Sequence, residues 1–221
     1  MSPSSDCPCC RAGWTFLYKL FNAVAKLPGT AGLLKTAPIR RLRERAYLRH
    51  VAGMPDRRHL ETVILPALRE VGAKRVLFVG CAPYTQHVPA TLAAWDIECW
   101  TTDILPENAP WGNPAHHIVC DIAEIDRHVP AGHIDAIVFT GVMGYGVSGA
   151  DMATVSPALA AILRPGGHLL IGWNRGLVED PCTLASVTAR FRHGGMPDQP
   201  DRYPVPRSTH VFDWFTPAAT P

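Results

Sequence analysis

From Lys74 onward the chain alternates short β-branched and aromatic runs with helical or turn-rich pieces, and no other feature narrows its fold as far. The runs are Arg75–Val79, Ile97–Thr102, His117–Cys120, Ile134–Phe139 and His168–Trp173. Between them, Val88–Trp95 (with Pro89 in its first turn) and Met152–Leu163, which ends at Arg164-Pro165-Gly166-Gly167, read as helices. Strands separated by helices connect through crossovers, so the spacing predicts an α/β fold whose doubly wound, mostly parallel sheet is covered by helices on both faces. Beyond Asn174 the pattern weakens to a short helix over Thr183–Phe191, a proline-rich stretch to Pro206 and a last strand at His210–Phe215.

The front of the chain is helical and basic. Phe16, Leu20, Val24 and Leu27, with Leu17 and Phe21 beside them, recur at helical spacing opposite Lys19, Asn22 and Lys26, and Pro28-Gly29 is a stop signal. A second helix is expected over Ile39–Val51 and a third over Asp56–Val71, the latter kinked or split by Pro66. With 221 residues and 47% hydrophobic composition there is material for one substantial core, not two. The organisation expected is a disordered tail at 1–11, a helical extension or cap at 12–73 and the α/β domain at 74–221.

Residues 1–75 hold 14 Lys/Arg against 5 Asp/Glu, and residues 76–221 hold 7 against 14. The first expectation is a basic segment packed on an acidic body or simply solvated; peripheral contact with a membrane surface is the less favoured alternative. Aromatic residues of this segment sit on the apolar helix face instead of between the arginines, which argues against nucleic acid as a partner. Seven cysteines, an odd number and partly within strands, suit free thiols in a reducing compartment and a cytoplasmic protein. Cys7-Pro8-Cys9-Cys10 has no second pair at zinc-finger spacing, so no metal is expected. Nothing in the sequence fixes an oligomeric state.

The chemistry concentrates at strand ends. Val76-Leu77-Phe78-Val79 runs into Gly80-Cys81-Ala82-Pro83-Tyr84-Thr85, a turn where backbone can approach a ligand at the carboxyl edge of a sheet. The second strand ends at Asp103, placed to accept hydrogen bonds from two ribose hydroxyls. At the end of the third, Asp121 can hold an adenine amino group and Ile122 cover the ring. The fourth opens through Thr140-Gly141 into the glycine-rich turn Val142-Met143-Gly144-Tyr145-Gly146.

In this order, followed by Leu163-Arg164-Pro165-Gly166-Gly167 before the fifth strand, the segment from about Lys74 to Asn174 resembles the class I S-adenosylmethionine-dependent methyltransferases. The resemblance implies a seven-stranded sheet with one antiparallel strand near its edge, His210–Phe215, and S-adenosylmethionine as cofactor. It places Gly80, Cys81 and Ala82 beside the methionine part, Asp103 at the ribose, Asp121 and Ile122 at the adenine and Thr140 and Gly141 on the far side, with Tyr84, Thr85 and Ile104 also among the cofactor-binding residues. The chain departs from the family at Phe78, where an acidic residue is usual, and at Ala82 and Tyr84, where glycines are usual; Pro83 also removes a donor.

No Asn/Asp-Pro-Pro-Tyr/Phe tetrapeptide follows the fourth strand, which disfavours methylation of a nucleobase or glutamine amino group and leaves a small molecule as the expected acceptor. Tyr145 and His87 are the candidate general bases, chosen ahead of His116 and His117, and Trp173, Asn174 and Trp214 are candidates to line an acceptor pocket. The rival reading is a methyltransferase-fold accessory or binding protein that has lost tight cofactor binding. A nicotinamide-dependent enzyme is disfavoured because the first turn lacks the glycines that seat a pyrophosphate.

Overall fold

The computed structural model describes residues 8–26 and 36–218. The chain divides into two compact units, residues 1–60 and 61–221. In the first, helix α1 (Pro8–Val24) lies antiparallel to α2 (Ala37–Ala52), followed by the single turn α3 (Pro55–His59). Thr15 meets His50 Nδ1 at 3.2 Å, Tyr18 stacks on His50 with ring centroids 4.5 Å apart and meets Tyr47 at 5.8 Å, and the Arg45 guanidinium lies over Trp14. α1 begins before position 15: Pro8 suits a first helical turn, and the residues after it carry no apolar periodicity to reveal them. Part of the expected tail thus lies in α1, while residues 1–7, Cys7 and the Pro28-Gly29 stop fall outside the described residues.

The helix expected over Asp56–Val71 is interrupted as Pro66 requires. A π-helical turn, Leu60–Ile64, runs directly into α4 (Leu65–Glu70), and Pro66, which has no N–H to give to the preceding turn, stands just past this widened turn.

The second unit is built on β1 (Arg75–Val79), α5 (Val88–Ala93), β2 (Glu98–Asp103), β3 (His117–Val119), β4 (Ile134–Thr140), α6 (Met152–Ile162), β5 (Leu163–Asn174), α7 (Ala185–Thr188), β6 (Phe191–His193), β7 (Arg202–Pro204) and β8 (His210–Pro217). The sheet order is β3-β2-β1-β4-β5-β8-β6, with β7 also paired to β8. The first five strands pair in parallel, and β8 is antiparallel to β5. Among the described residues the sheet thus has eight strands, not seven: the two three-residue strands β6 and β7 share one side of β8, pairing with its end and its beginning. Central strands β1 and β4 are buried almost throughout, as strands covered on both faces must be.

Two departures have local causes. Arg164-Pro165-Gly166-Gly167 forms a bulge inside β5 instead of a turn before it: Ile134 pairs with Leu163, but Ala136 pairs with His168. Asp135 holds this bulge through Arg164 and also accepts the Lys74 and Arg75 amides at 2.7 and 2.8 Å, tying it to the start of β1. Burial pushes the Asp135 carboxyl upward, but these donors together outweigh it and hold the group below its ordinary value. The helix expected over Thr183–Phe191 is reduced to α7, because Asp180 caps a 3-10 turn at Pro181–Thr183 and β6 already begins at Phe191.

His168, on β5, is buried edge-on against Trp214, and its Nδ1 has no hydrogen-bond partner. Burial, and then Arg164, lower its pKa from 6.5. The unfolded chain takes up this proton first, so stability present above pH 6.5 is lost as the pH falls through the lower folded value. We expect the melting temperature to drop between about pH 7 and about pH 5, and less steeply in His168→Leu. Equal slopes in the two proteins would remove His168 from the account.

Candidate functional site

The strand order reverses between β1 and β4, which opens a crevice at the carboxyl edge of the sheet. A cleft of about 100 Å³ lies there, lined by Val79 and Gly80 at the end of β1, Thr102, Asp103 and Ile104 at the end of β2, Cys120, Asp121 and Ile122 after β3, and Val142, Gly146 and Val147 after β4. Five of the residues picked out in the sequence, Gly80, Asp103, Ile104, Asp121 and Ile122, are thus brought together. Cys81, Ala82, Tyr84, Thr85, Thr140, Gly141, Tyr145 and His87 do not line it.

Gly80 adopts φ +86°, and a Cβ placed on it would stand 2.9 Å from Val142 Cγ2. Both facts demand glycine. Gly80→Ala should cost about 1–2 kcal/mol through the left-handed backbone alone, read as a lower urea midpoint. An unchanged midpoint would mean that the turn relaxes to negative φ.

Asp103 organises the turns around Gly80. Its Oδ2 accepts the Cys81 amide at 2.7 Å and its Oδ1 the Leu105 amide at 2.9 Å, so one carboxylate clamps the turns after β1 and β2 together. The Ala82 amide donates to Thr85 Oγ1 at 2.9 Å, and that hydroxyl returns a bond to Ala82 O at 3.0 Å. The amides of residues 80–82 are consequently satisfied within the protein, the Gly80 amide by Thr102 O. Cys81 is buried, and burial followed by the Asp103 charge pushes its thiol up to about 12, which keeps it a neutral packing group.

Asp121 caps the 3-10 turn Ile122–Arg127, its Oδ1 accepting the Ala123 amide at 2.9 Å. Its Oδ2 is not used by that cap. The fourth wall is a knotted loop in which Val142 O receives the amides of Tyr145, Gly146 and Val147 at 3.0, 2.9 and 3.2 Å, and the Gly144 amide bonds Val147 O at 2.7 Å. This folding carries Val142 over Gly80. Sequence reasoning singled out the loop only as a glycine-rich turn; the apolar pair Val142 and Val147 flanking its glycines was the signal for a wall.

Tyr145 stands 71% exposed on the same loop, one residue from cleft residue Gly146. His87 lies elsewhere, its Nε2 3.1 Å from Glu61 Oε1. Thr140 is buried where β4 meets Gly172 of β5, and a side chain at Gly172 would run into it. Trp173 and Trp214 are core residues and do not line an open pocket: Trp173 Nε1 donates to Asp213 at 2.7 Å and Trp214 packs on His168. Asn174 Oδ1 accepts from Thr209 at 3.0 Å.

Among the described residues one trio, Cys182, His193 and Asp213, brings possible metal-ligand atoms within 4.8 Å of one another. The Arg202 guanidinium already occupies this place, with Nε 2.7 Å from Asp213 Oδ1 and Nη2 3.2 Å from Cys182 Sγ. Burial, then the Asp213 charge, push the Cys182 thiol up to about 12. The guanidinium thus completes an internal ion cluster around Asp213.

No protein-family model and no curated protein sequence matches the chain. Solved structures do. The N-methyltransferase NodS from Bradyrhizobium japonicum WM9, in complex with S-adenosyl-l-homocysteine, superposes with a TM-score of 0.54 at 17% identity over 91% of this chain and 98% of that one. A TehB-like SAM-dependent methyltransferase from Corynebacterium glutamicum gives 0.55 at 16% identity over 79% and 100%. The 1,6-didemethyltoxoflavin-N1-methyltransferase of Burkholderia thailandensis, with bound 1,6-didemethyltoxoflavin and S-adenosylhomocysteine, gives 0.50 at 18% over 80% and 90%. With its sheet order, its antiparallel β8 and its cleft at the strand ends, the chain has the fold of the class I S-adenosylmethionine-dependent methyltransferases.

Proposed function

We propose that the protein is an S-adenosylmethionine-dependent methyltransferase acting on a small-molecule acceptor. The observation that carries this reading is the cleft at the β1/β4 reversal, where two carboxylates at successive strand ends, Asp103 and Asp121, flank an apolar slot. Asp103 spends one acceptor position of each oxygen on the amides of Cys81 and Leu105, and the remaining lone pairs suit the two ribose hydroxyls. Asp121 Oδ2 suits an exocyclic amino group, and Ile104, Ile122 and Val147 form apolar walls for a purine. These residues fit an adenosyl group. Two of the structural neighbours are N-methyltransferases by name, and one of these holds bound 1,6-didemethyltoxoflavin.

Bound there, the cofactor supplies a methyl group on a sulfonium with a neutral leaving group. What the chain must add is orientation, exclusion of water and a site for the acceptor's proton. Tyr145 is the better placed of the two candidate bases, since its loop forms a cleft wall whereas His87 is engaged with Glu61.

A specific observation also favours the accessory-protein reading. The cleft of about 100 Å³ is small against the roughly 300–1,000 Å³ of ligand pockets, the amides of the first turn are internally bonded, and Val142 covers Gly80. A whole cofactor needs the 142–147 loop to move aside from Gly80. Calorimetric titration with S-adenosylmethionine, S-adenosylhomocysteine and NAD separates the readings. Binding of the first two alone, at about micromolar affinity, supports the enzyme. No binding at saturating ligand supports the accessory role, and binding of NAD alone defeats both.

A further inference from the structure

Helix α1 leaves part of its apolar surface open to solvent. Trp14, Thr15, Tyr18 and Asn22, the residues that meet or share a groove with α2, fall on one side of the helical wheel. Phe16, Leu20 and Ala23 fall on the opposite side, and all three are exposed, Phe16 by 68% and Leu20 by 46%. Lys19 and Lys26 stand exposed along one border of this apolar row. Leu17, Phe21 and Val24 are half-buried like the residues beside α2, so the apolar row left open to solvent is Phe16, Leu20 and Ala23.

We propose that α1 docks the protein on an anionic lipid membrane, with Phe16 and Leu20 entering the headgroup region and Lys19 and Lys26 along their border meeting lipid phosphates. Charge complementarity selects that occupant. Residues 1–60 hold 11 Lys/Arg against three Asp/Glu, and Arg40, Arg41, Arg43 and Arg45 are all exposed on α2. A second copy meeting this one through α1 would bring two such cationic units together, whereas an anionic bilayer neutralises them at the same contact.

The mode of contact follows from the dimensions. No described helix is long and apolar enough to cross a membrane, so α1 lies in the plane of the interface. Two apolar side chains alone hold a surface only weakly and reversibly, and a basic cluster alone is salt-labile; the two signals act together. This inference stands apart from the methyltransferase reading, and its readout needs no cofactor.

The test is flotation of the full-length protein with vesicles of phosphatidylcholine alone or of phosphatidylcholine mixed with phosphatidylglycerol, at low and high salt. Binding to the phosphatidylglycerol vesicles only, weakened by salt, is expected. Phe16→Glu with Leu20→Glu, and separately Lys19→Glu with Lys26→Glu, should each lower the bound fraction by roughly tenfold or more. All four positions are solvent-exposed, so unchanged circular dichroism should accompany the loss.

Failure of the wild type to bind, equal binding to both vesicle types, or retention by both variants would overturn the proposal. So would light scattering that shows a wild-type dimer converted to monomer by the Phe16/Leu20 change without vesicle binding, since the apolar row would then be a self-association face.

Discussion

Asp213→Ala should destabilise the protein by about 3–5 kcal/mol, enough to take up much of the stability of a domain this size. Asp213 is fully buried on β8, and both its oxygens are saturated: Oδ1 accepts from His193 Nε2 at 2.9 Å and Arg202 Nε at 2.7 Å, Oδ2 from Trp173 Nε1 at 2.7 Å and Arg202 Nη2 at 3.2 Å. One carboxylate therefore joins β5, β6, β7 and β8. Removing it leaves the Trp173 and His193 donors and the Arg202 guanidinium without their shared acceptor, and Arg202 keeps only Asp180 among its ion partners. The loss comes from stranded partners, not from the net strength of the pair, because a buried ion pair often does no better than apolar residues of the same volume. The double variant Asp213→Leu with Arg202→Met should accordingly recover part of the stability lost in Asp213→Ala. Urea unfolding measures both. A loss below about 1 kcal/mol in the single variant would show the cluster to be solvated and of little consequence.

That cluster also explains what the sequence conceals. The run Arg75–Val79 is legible to the residue because a charged pair precedes it, a glycine ends it and everything between is apolar. β6 and β7 are not legible: each has three residues, one holds His193 and the other Arg202 and Pro204, and both exist as strands because β8 and Asp213 hold them. Pro165-Gly166-Gly167 reads as a turn by every local rule, and it becomes a bulge because Asp135, about thirty residues earlier, grips Arg164.

The same division runs through the cleft. Gly80, Asp103 and Asp121 are visible in the sequence because strand-end positions follow from strand boundaries. Val142 and Val147 are not, since their place on the wall depends on how the loop after β4 folds back on Val142 O. The periodicity of α1 identified an apolar stripe but could not say which way it faces; that depends on the Tyr18, Tyr47 and His50 stack with a distant helix.

Asp103→Ala should weaken S-adenosylmethionine binding about 10–100-fold, the loss of charge-assisted hydrogen bonds to two ribose hydroxyls. It should do so by two routes, because the carboxylate that faces the cleft also fixes the Cys81 and Leu105 amides. Asp103→Asn separates them. The amide keeps one acceptor oxygen and so one of the two backbone bonds, but its nitrogen donates where the ribose also donates. Affinity should therefore fall nearly as far in Asn as in Ala, while the urea midpoint falls less in Asn. If affinity instead tracks the midpoint across both variants, Asp103 acts by holding the turns and the ribose is bound elsewhere. If affinity is unchanged while both variants stay folded, the cleft at the end of β2 is not the nucleoside site. Asp121→Ala then becomes the decisive variant, since its Oδ1 holds only the local cap at Ala123 and its removal leaves the turns around Gly80 intact.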